Sequence, residues 1–168
     1  EALVLGAGPI GLMMMMALGA RGAASVTMTD VEESRLEQAK SLGADEAVHA
    51  DALDPARRFG LVVDCTGVPS VCERMPSRTK DGGAILFFGV CPPAARITLS
   101  PYEMFRRELT LIGSHSLSNN IPDALRVLSR LGPRAEALVS HRLSLEEIAE
   151  RLRAPVKKGS MKIQFAAA

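Results

Sequence analysis

Charge imbalance is missing from this chain: 20 lysines and arginines face 19 aspartates and glutamates over 168 residues, a formal net charge of +1. Without a surplus of either sign there is no electrostatic footprint for nucleic acid or for an acidic membrane, and neither is expected as a partner. Basic residues do outnumber acidic ones from Arg126 to Lys162, which is read as a solvated helix face. Cysteine is scarce as well. Cys65, Cys72 and Cys91 show no C-x-x-C spacing and no paired histidines accompany them, so neither a disulfide framework nor a zinc site is indicated. Reduced packing thiols in a cytoplasmic protein are the expectation. No repeat or low-complexity linker interrupts the chain, and a 47% hydrophobic content can fill a core of ordinary size. Residues Ala2 to Ala20 lack any charge, as a membrane span or a signal h-region would. Gly6, Gly8 and Pro9 would break such a helix in its first third, so a short strand turning into a buried helix is expected instead.

That uncharged stretch contains the most informative feature of the chain. Leu3-Val4-Leu5 reads as a strand, Gly6-Ala7-Gly8-Pro9-Ile10-Gly11 as a glycine turn opening a helix, and Asp30 closes the next apolar run, Val26 to Thr29. Strand, turn, helix, strand and acid at this spacing describe a dinucleotide site. Gly6 permits the tight turn, Gly8 lets backbone approach a pyrophosphate, and Gly11 lets the helix lie close on the strand. Pro9 suits the first helical position, where its absent N–H costs nothing. The amides of Ile10 and Gly11, at the positive end of the helix, are what a phosphate seeks. Asp30 receives the adenosine ribose hydroxyls. Its carboxylate would oppose a 2′-phosphate by roughly a few kcal/mol at an effective dielectric near 20, so NAD is expected over NADP. Arg35 is read as stacking or hydrogen bonding beside it, although an arginine could also pair with a phosphate.

Apolar runs and helical patterns continue to alternate. A helix from Glu33 to Leu42 stops at Gly43, and four further runs follow, at Ala47 to His49, Leu61 to Cys65, Ala84 to Phe88 and Leu109 to Ile112. Six runs with helical crossovers predict an α/β Rossmann fold, a doubly wound parallel six-stranded sheet with helices on both faces and a ligand beyond the carboxyl ends of its strands. Helices are expected from Pro122 to Leu131 and, behind the capping-box spacing Ser144-Leu145-Glu146-Glu147, up to Pro155. Leu138 to Leu143 and Met161 to Phe165 look like strands without obvious partners. The quartet Met13 to Met16 makes its helix apolar all round. Four consecutive residues point about a helix at ~100° intervals and serve no metal, so they are read as core filler, with one face of the helix uncovered.

Other chemistry finds little support. His49, His115 and His141 lack ligand spacing and read as surface or loop residues, with His115 alone expected beside the cofactor. Ser114, Ser116 and Ser118 have no G-x-S-x-G context and no identifiable base. Cys65 is expected to be buried rather than reactive. A methyltransferase also uses a glycine turn and an acid after its second strand, but the remaining motifs do not follow that pattern.

Those motifs are VLGAGPIGL from Val4, Thr29-Asp30, RLEQAKSLGAD at 35–45, DCTGVPS at 64–70, GGAILFFGVCPP at 82–93, LIGSHS at 111–116 and SHRLSLEEIAE at 140–150. Together they resemble the nucleotide-binding half of the medium-chain, zinc-type alcohol and polyol dehydrogenases, over nearly the whole chain. The resemblance implies that Gly8, Pro9 and Ile10 face the pyrophosphate of NAD(H), that Asp30 and Arg35 hold the ribose, and that Thr66, Gly67 and Val68 line the adenosine side. It implies the nicotinamide carboxamide at the backbone of Val90, Ser114 and Ser116, and Lys162 reaching the phosphates from the tail. Residues 1–137 then form the dinucleotide-binding domain, and 138–168 return to a catalytic domain of the same polypeptide. That domain, which in the family supplies the catalytic zinc ligands, is absent here. The start at Glu1 without methionine fits an excised piece, unable to catalyse alone and binding no zinc itself. The intact enzyme is expected to oxidise a secondary alcohol or polyol and to form a homo-oligomer, with Leu109 to Ile112 as a candidate dimer edge. One departure is the short stretch from Ala50 to Gly60, which has no room for a full crossover helix and leaves the local sheet edge in doubt. The competing reading is a stand-alone, non-catalytic NAD-binding sensor or assembly module, against which the unpartnered strands count.

Overall fold

The computed structural model describes residues 1–115, 119–154 and 159–166. Its first element is the predicted apolar strand, β1 (Ala2–Leu5), followed at once by α1 (Pro9–Ala20) with Gly8 as N-cap and Pro9 in its first turn. The chain continues through β2 (Val26–Asp30), α2 (Glu33–Ser41), β3 (Glu46–His49), β4 (Phe59–Asp64), α3 (Pro69–Arg78) and β5 (Thr79–Phe87). Then come α4 (Pro101–Arg106), β6 (Thr110–Gly113), α5 (Ile121–Leu131), α6 (Pro133–Glu136), β7 (Val139–Leu143), α7 (Leu145–Arg153) and β8 (Lys162–Phe165). Six strands form one parallel sheet in the order β3-β2-β1-β4-β5-β6. The winding reverses between β1 and β4, where Leu3 pairs with Thr27 on one side and Val62 on the other. A crevice opens at such a reversal because the connections leave the two strands over opposite faces of the sheet.

Each face carries its own core, and the alternation of a strand explains the division. Val4 points into a cluster with Leu12, Met15, Met16, Met28 and Leu36, under α1 and α2. Its neighbour Leu3 points the other way, to Phe59, Val62, Cys72, Met75 and Ile85 under α3. The methionine quartet is core filler as expected: Met15 and Met16 are buried and Met13 and Met14 pack half-buried on the same cluster. Part of the cover for α1 comes from this chain, since Leu131 at the end of α5 and the buried Leu138 join the cluster.

Three expectations change. The short stretch after β3 indeed forms no helix, yet the sheet edge is intact, with β3 in register on β2 from Thr27–Glu46 to Asp30–His49. Burial of Leu53 in the second core cluster anchors this connection, and Arg78 donates to the Asp54 carbonyl at 2.6 Å. Arg57 closes its lower end, paired with Glu46 and lying over the Phe59 ring. Second, β5 begins at Thr79, well before Ala84, because Thr79 pairs with Phe59 ahead of a register shift. Third, β7 and β8 do have partners: they pair with each other, in parallel, as a separate two-stranded sheet. The capping box at Ser144 and Glu147 forms as predicted and starts α7 between them.

Candidate functional site

The crevice at the β1–β4 reversal is a cleft of about 500 Å³ whose walls include Gly6, Gly8, Asp30, Arg35, Thr66 and Val68. Its floor is the glycine turn. Gly6 sits at φ +98°, a left-handed conformation that a side chain would strain, and a Cβ there would also press on Thr66. A Cβ on Gly11 would fall on the Gly6 carbonyl oxygen, so only glycine lets α1 approach β1 this closely. Gly8 differs from both: a Cβ there would meet nothing within 4 Å. Its surroundings are open space above a helix N-terminus. Leu12 donates to the Gly8 carbonyl at 3.0 Å as the first closed helical bond, which leaves the amides of Ile10 and Gly11 directed out of the helix end. The combination of open space, free amides and positive dipole fits a pyrophosphate.

Asp30, 8% exposed, ties that turn to the second strand. Its Oδ2 accepts from the Ala7 amide at 2.8 Å, and its Oδ1 accepts from Val31 at 2.8 Å and Glu32 at 3.0 Å. A carboxylate has about four lone-pair sites, so acceptor capacity remains for a hydroxyl entering from the cleft. Arg35 approaches Asp30 Oδ2 at 3.5 Å and Glu32 Oε2 at 3.4 Å. Flanked by two carboxylates, this arginine is already compensated. Glu32 is a partner that sequence reasoning missed. Its position two residues after the strand-end acid was the available signal.

Asp64 is the larger omission. It ends β4 as Asp30 ends β2, and it is fully buried. Its Oδ1 accepts from the Thr66 amide at 2.8 Å and the Thr66 hydroxyl at 2.6 Å, and the Gly67 amide lies 3.2 Å from Oδ2. The Thr66 hydroxyl in turn accepts from the Val68 amide at 3.0 Å. One carboxylate therefore shapes the whole Thr66-Gly67-Val68 turn. The next strand is built into the same unit: Gly89 donates to the Asp64 carbonyl at 2.8 Å, and a Cβ on Gly67 would fall on the Val90 carbonyl. Cys65, on the cleft wall between these groups, has its thiol pushed up to about 12 by burial and then by the Asp64 charge. It is a packing thiol, as expected.

The other sequence-derived positions divide. Pro9, Ile10 and Gly11 form the first turn of α1 above the cleft. Gly67 and Val90 abut each other at its β4–β5 side, with Val90 92% exposed. Ser114 follows β6 and donates its amide to the Phe87 carbonyl at 3.3 Å, which ties it to the end of β5. Ser116 and Ser118 lie outside the described residues. Lys162 is not brought to the cleft: it is exposed at the start of β8, in the second sheet. The histidines stand on different elements, His49 ending β3, His115 after β6 and His141 within β7 beside the Ser140 hydroxyl. Among the described residues, no group of three or more histidines, cysteines and acids is placed to hold a metal ion, and no helix is long and apolar enough to cross a membrane.

Known proteins resemble this chain in sequence and fold. Residues 9–130 match the family model described as zinc-binding dehydrogenase. Over 170 residues the chain is 50% identical to D-altritol 5-dehydrogenase of Agrobacterium fabrum, a match that covers 99% of this chain and 51% of that protein. It is 31% identical to the sorbitol dehydrogenase of Bos taurus, covering 98% of this chain and 49% of the relative. Among solved structures, 2R,3R-butanediol dehydrogenase from Bacillus subtilis superposes with a TM-score of 0.85 at 25% identity, over all of this chain and 51% of that one. The chain thus spans about half the length of the relatives it matches.

Proposed function

This chain belongs to the zinc-binding dehydrogenase family, and from that premise we propose that it is the NAD-binding half of an enzyme that oxidises a secondary alcohol or polyol. The observation that carries the proposal is the hydrogen bond from the Ala7 amide to the Asp30 carboxylate, 2.8 Å long. It joins the glycine turn to the strand-end acid, so one rigid unit presents a phosphate cradle and a ribose acceptor together. In this reading Gly8, Ile10 and Gly11 hold the pyrophosphate, Asp30 accepts from the ribose, and Thr66 to Val68 flank the adenosine. Val90 and Ser114 orient the nicotinamide through backbone groups, with Ser116 assigned by family likeness alone. The pairing of Arg35 with Asp30 and Glu32 favours NAD over NADP, because a 2′-phosphate would meet two carboxylates rather than a free cation.

Bound dinucleotide would supply the hydride acceptor, and this chain's residues would orient it. Zinc does not fit the residues described: the histidines stand apart on different elements, and Cys65 is a half-buried packing thiol next to the Asp64 charge. The metal, the proton route and the substrate contacts are assigned to the half of the protein that the relatives have and this chain does not span. Residues 138–168 would be the segment returning toward it, and Lys162 would reach the phosphates only through a different placement of that segment. The pairing of β7 with β8 removes one objection to a stand-alone sensor. Against that reading stand Leu125, Leu128, Leu152 and Phe165, all exposed apolar residues of the tail elements.

Calorimetric titration of the protein with NADH, NADPH and S-adenosylmethionine tests the proposal. The expected result is NADH binding that exceeds NADPH binding and that weakens in Asp30→Ala. Binding of S-adenosylmethionine alone, or no dinucleotide binding by the intact protein, would refute it.

A further inference from the structure

We propose that Cys72 and Cys91 are a covalent modification site, at which a hydroperoxide drives formation of a disulfide that fastens the Val90 loop to α3. The two sulfurs lie 3.7 Å apart. A disulfide needs about 2.05 Å, a closure that takes a small movement of the Cys91 loop toward α3. Cys72, 1% exposed, sits in α3 inside the second core cluster, and the half-buried Cys91 packs on the same cluster.

The burial of the two thiols orders the chemistry. Burial, the Asp64 charge and the hydrogen bond to Cys91 push the Cys72 thiol up to about 12, so Cys72 is a poor first nucleophile. Cys91, the accessible sulfur, attacks the terminal oxygen of the hydroperoxide. The O–O bond breaks, an alcohol leaves (water, if the oxidant is hydrogen peroxide), and Cys91 becomes a sulfenic acid. Cys72 then attacks the Cys91 sulfur. The S–S bond forms, the S–O bond breaks, and the hydroxyl leaves with the Cys72 proton as water. Two thiols give up two electrons and one hydroperoxide takes them, so nothing further is required. Cys65 is half-buried on the other face of the sheet, with no cysteine paired to it among the described residues, and would stay reduced.

The position of the bond gives it a consequence, which rests on the cofactor reading above. Cys91 directly follows Val90, whose carbonyl packs against Gly67, and Gly89 is held by the Asp64 carbonyl. Drawing Cys91 toward α3 shifts Val90 away from the place where it would meet the nicotinamide. Oxidised protein should therefore bind NADH more weakly, by about fivefold, a coupling of ordinary size.

Peptide mapping after hydrogen peroxide treatment decides the chemistry. A Cys72–Cys91 linked peptide, lighter by two hydrogens, reversed by dithiothreitol and absent from Cys91→Ser and Cys72→Ala, is the expected outcome. Two thiols still open to alkylation, a bond between chains, or oxidation that stops at a Cys91 sulfinic acid would each overturn it. Titration with NADH before and after oxidation decides the consequence. An unchanged affinity in fully disulfide-bonded protein would overturn the loop shift. If the reduced protein binds no NADH, the cofactor reading fails, while the peptide map still judges the disulfide.

Discussion

The six-stranded body and the tail from α5 to β8 are built by different rules. Over the centre of the body both faces of the sheet are covered, and strands such as β1 and β2 are almost wholly buried, while only the edge strand β6 is exposed along its length. In the tail, α5, α6, α7 and β8 bury no residue completely; of the described tail residues Leu138 is buried in a core cluster, with Leu131 and Met161 packed half-buried on it. A parallel sheet satisfies its backbone internally and needs cover on two faces, which α1, α2 and α3 supply. A two-stranded sheet has one pair of hydrogen-bonding edges and no face broad enough for a core. The body therefore carries its own stability, whereas the tail elements offer apolar surface, with Leu152 83% exposed, that could be covered only from elsewhere.

Five substitutions and a pH series sharpen or break that contrast. The largest effect is expected from Leu3→Ala, which removes a fully buried side chain from the body: about 3 kcal/mol lost in chemical denaturation, in the range for such cavities. A loss below ~1 kcal/mol would mean that the sheet is not the stabilising unit. Asp64→Ala should follow at roughly 2 kcal/mol, because it strands the amides of Thr66 and Gly67. It should also weaken NADH binding, as that turn would no longer be held. Alkaline titration comes next. Burial raises the thiols of Cys65 and Cys72 from 9.0 to about 12. Their neutral forms contribute stability that is fully present below the unfolded value and lost as pH climbs through 9.0 toward about 12. The melting temperature should fall over that window, and Cys65→Ala should flatten the fall. In the tail, Ser144→Ala deletes one half of the capping box and should cost about 1 kcal/mol within α7 alone, visible as faster amide exchange there and not in β1. Leu152→Ala should change stability by less than ~0.5 kcal/mol. A loss as large as that of Leu3→Ala would show that Leu152 is packed against a further surface and would erase the contrast.

Legibility followed a different division, between local geometry and contacts that only folding makes. Gly6, Gly11, Asp30 and the order of the six strands could be read from the chain because each rests on local geometry: a positive φ, a close approach, an apolar run of strand length. Asp64 could not, although its residue type and strand-end position match Asp30. Its role depends on meeting Gly67 and Gly89, and the Gly89 contact exists only after β4 and β5 pair. α3 and α4 were missed for a similar reason, since Pro69–Arg78 is held as a helix by the packing of Cys72 and Met75 rather than by strong local signals.

By itself, the sequence determined the fold class, the glycine turn with its acid, and the absence of any charge surplus, because these follow from spacing and side-chain type along a single stretch of chain. Only the tertiary structure decided that Asp30 is bound to the turn it serves, that Glu32 shares Arg35, that β7 and β8 satisfy each other, and that Cys72 and Cys91 face across a gap of 3.7 Å. Each of these contacts joins residues by distance and direction in space, and except for Glu32 and Arg35, a helical turn apart, they are far apart in the chain.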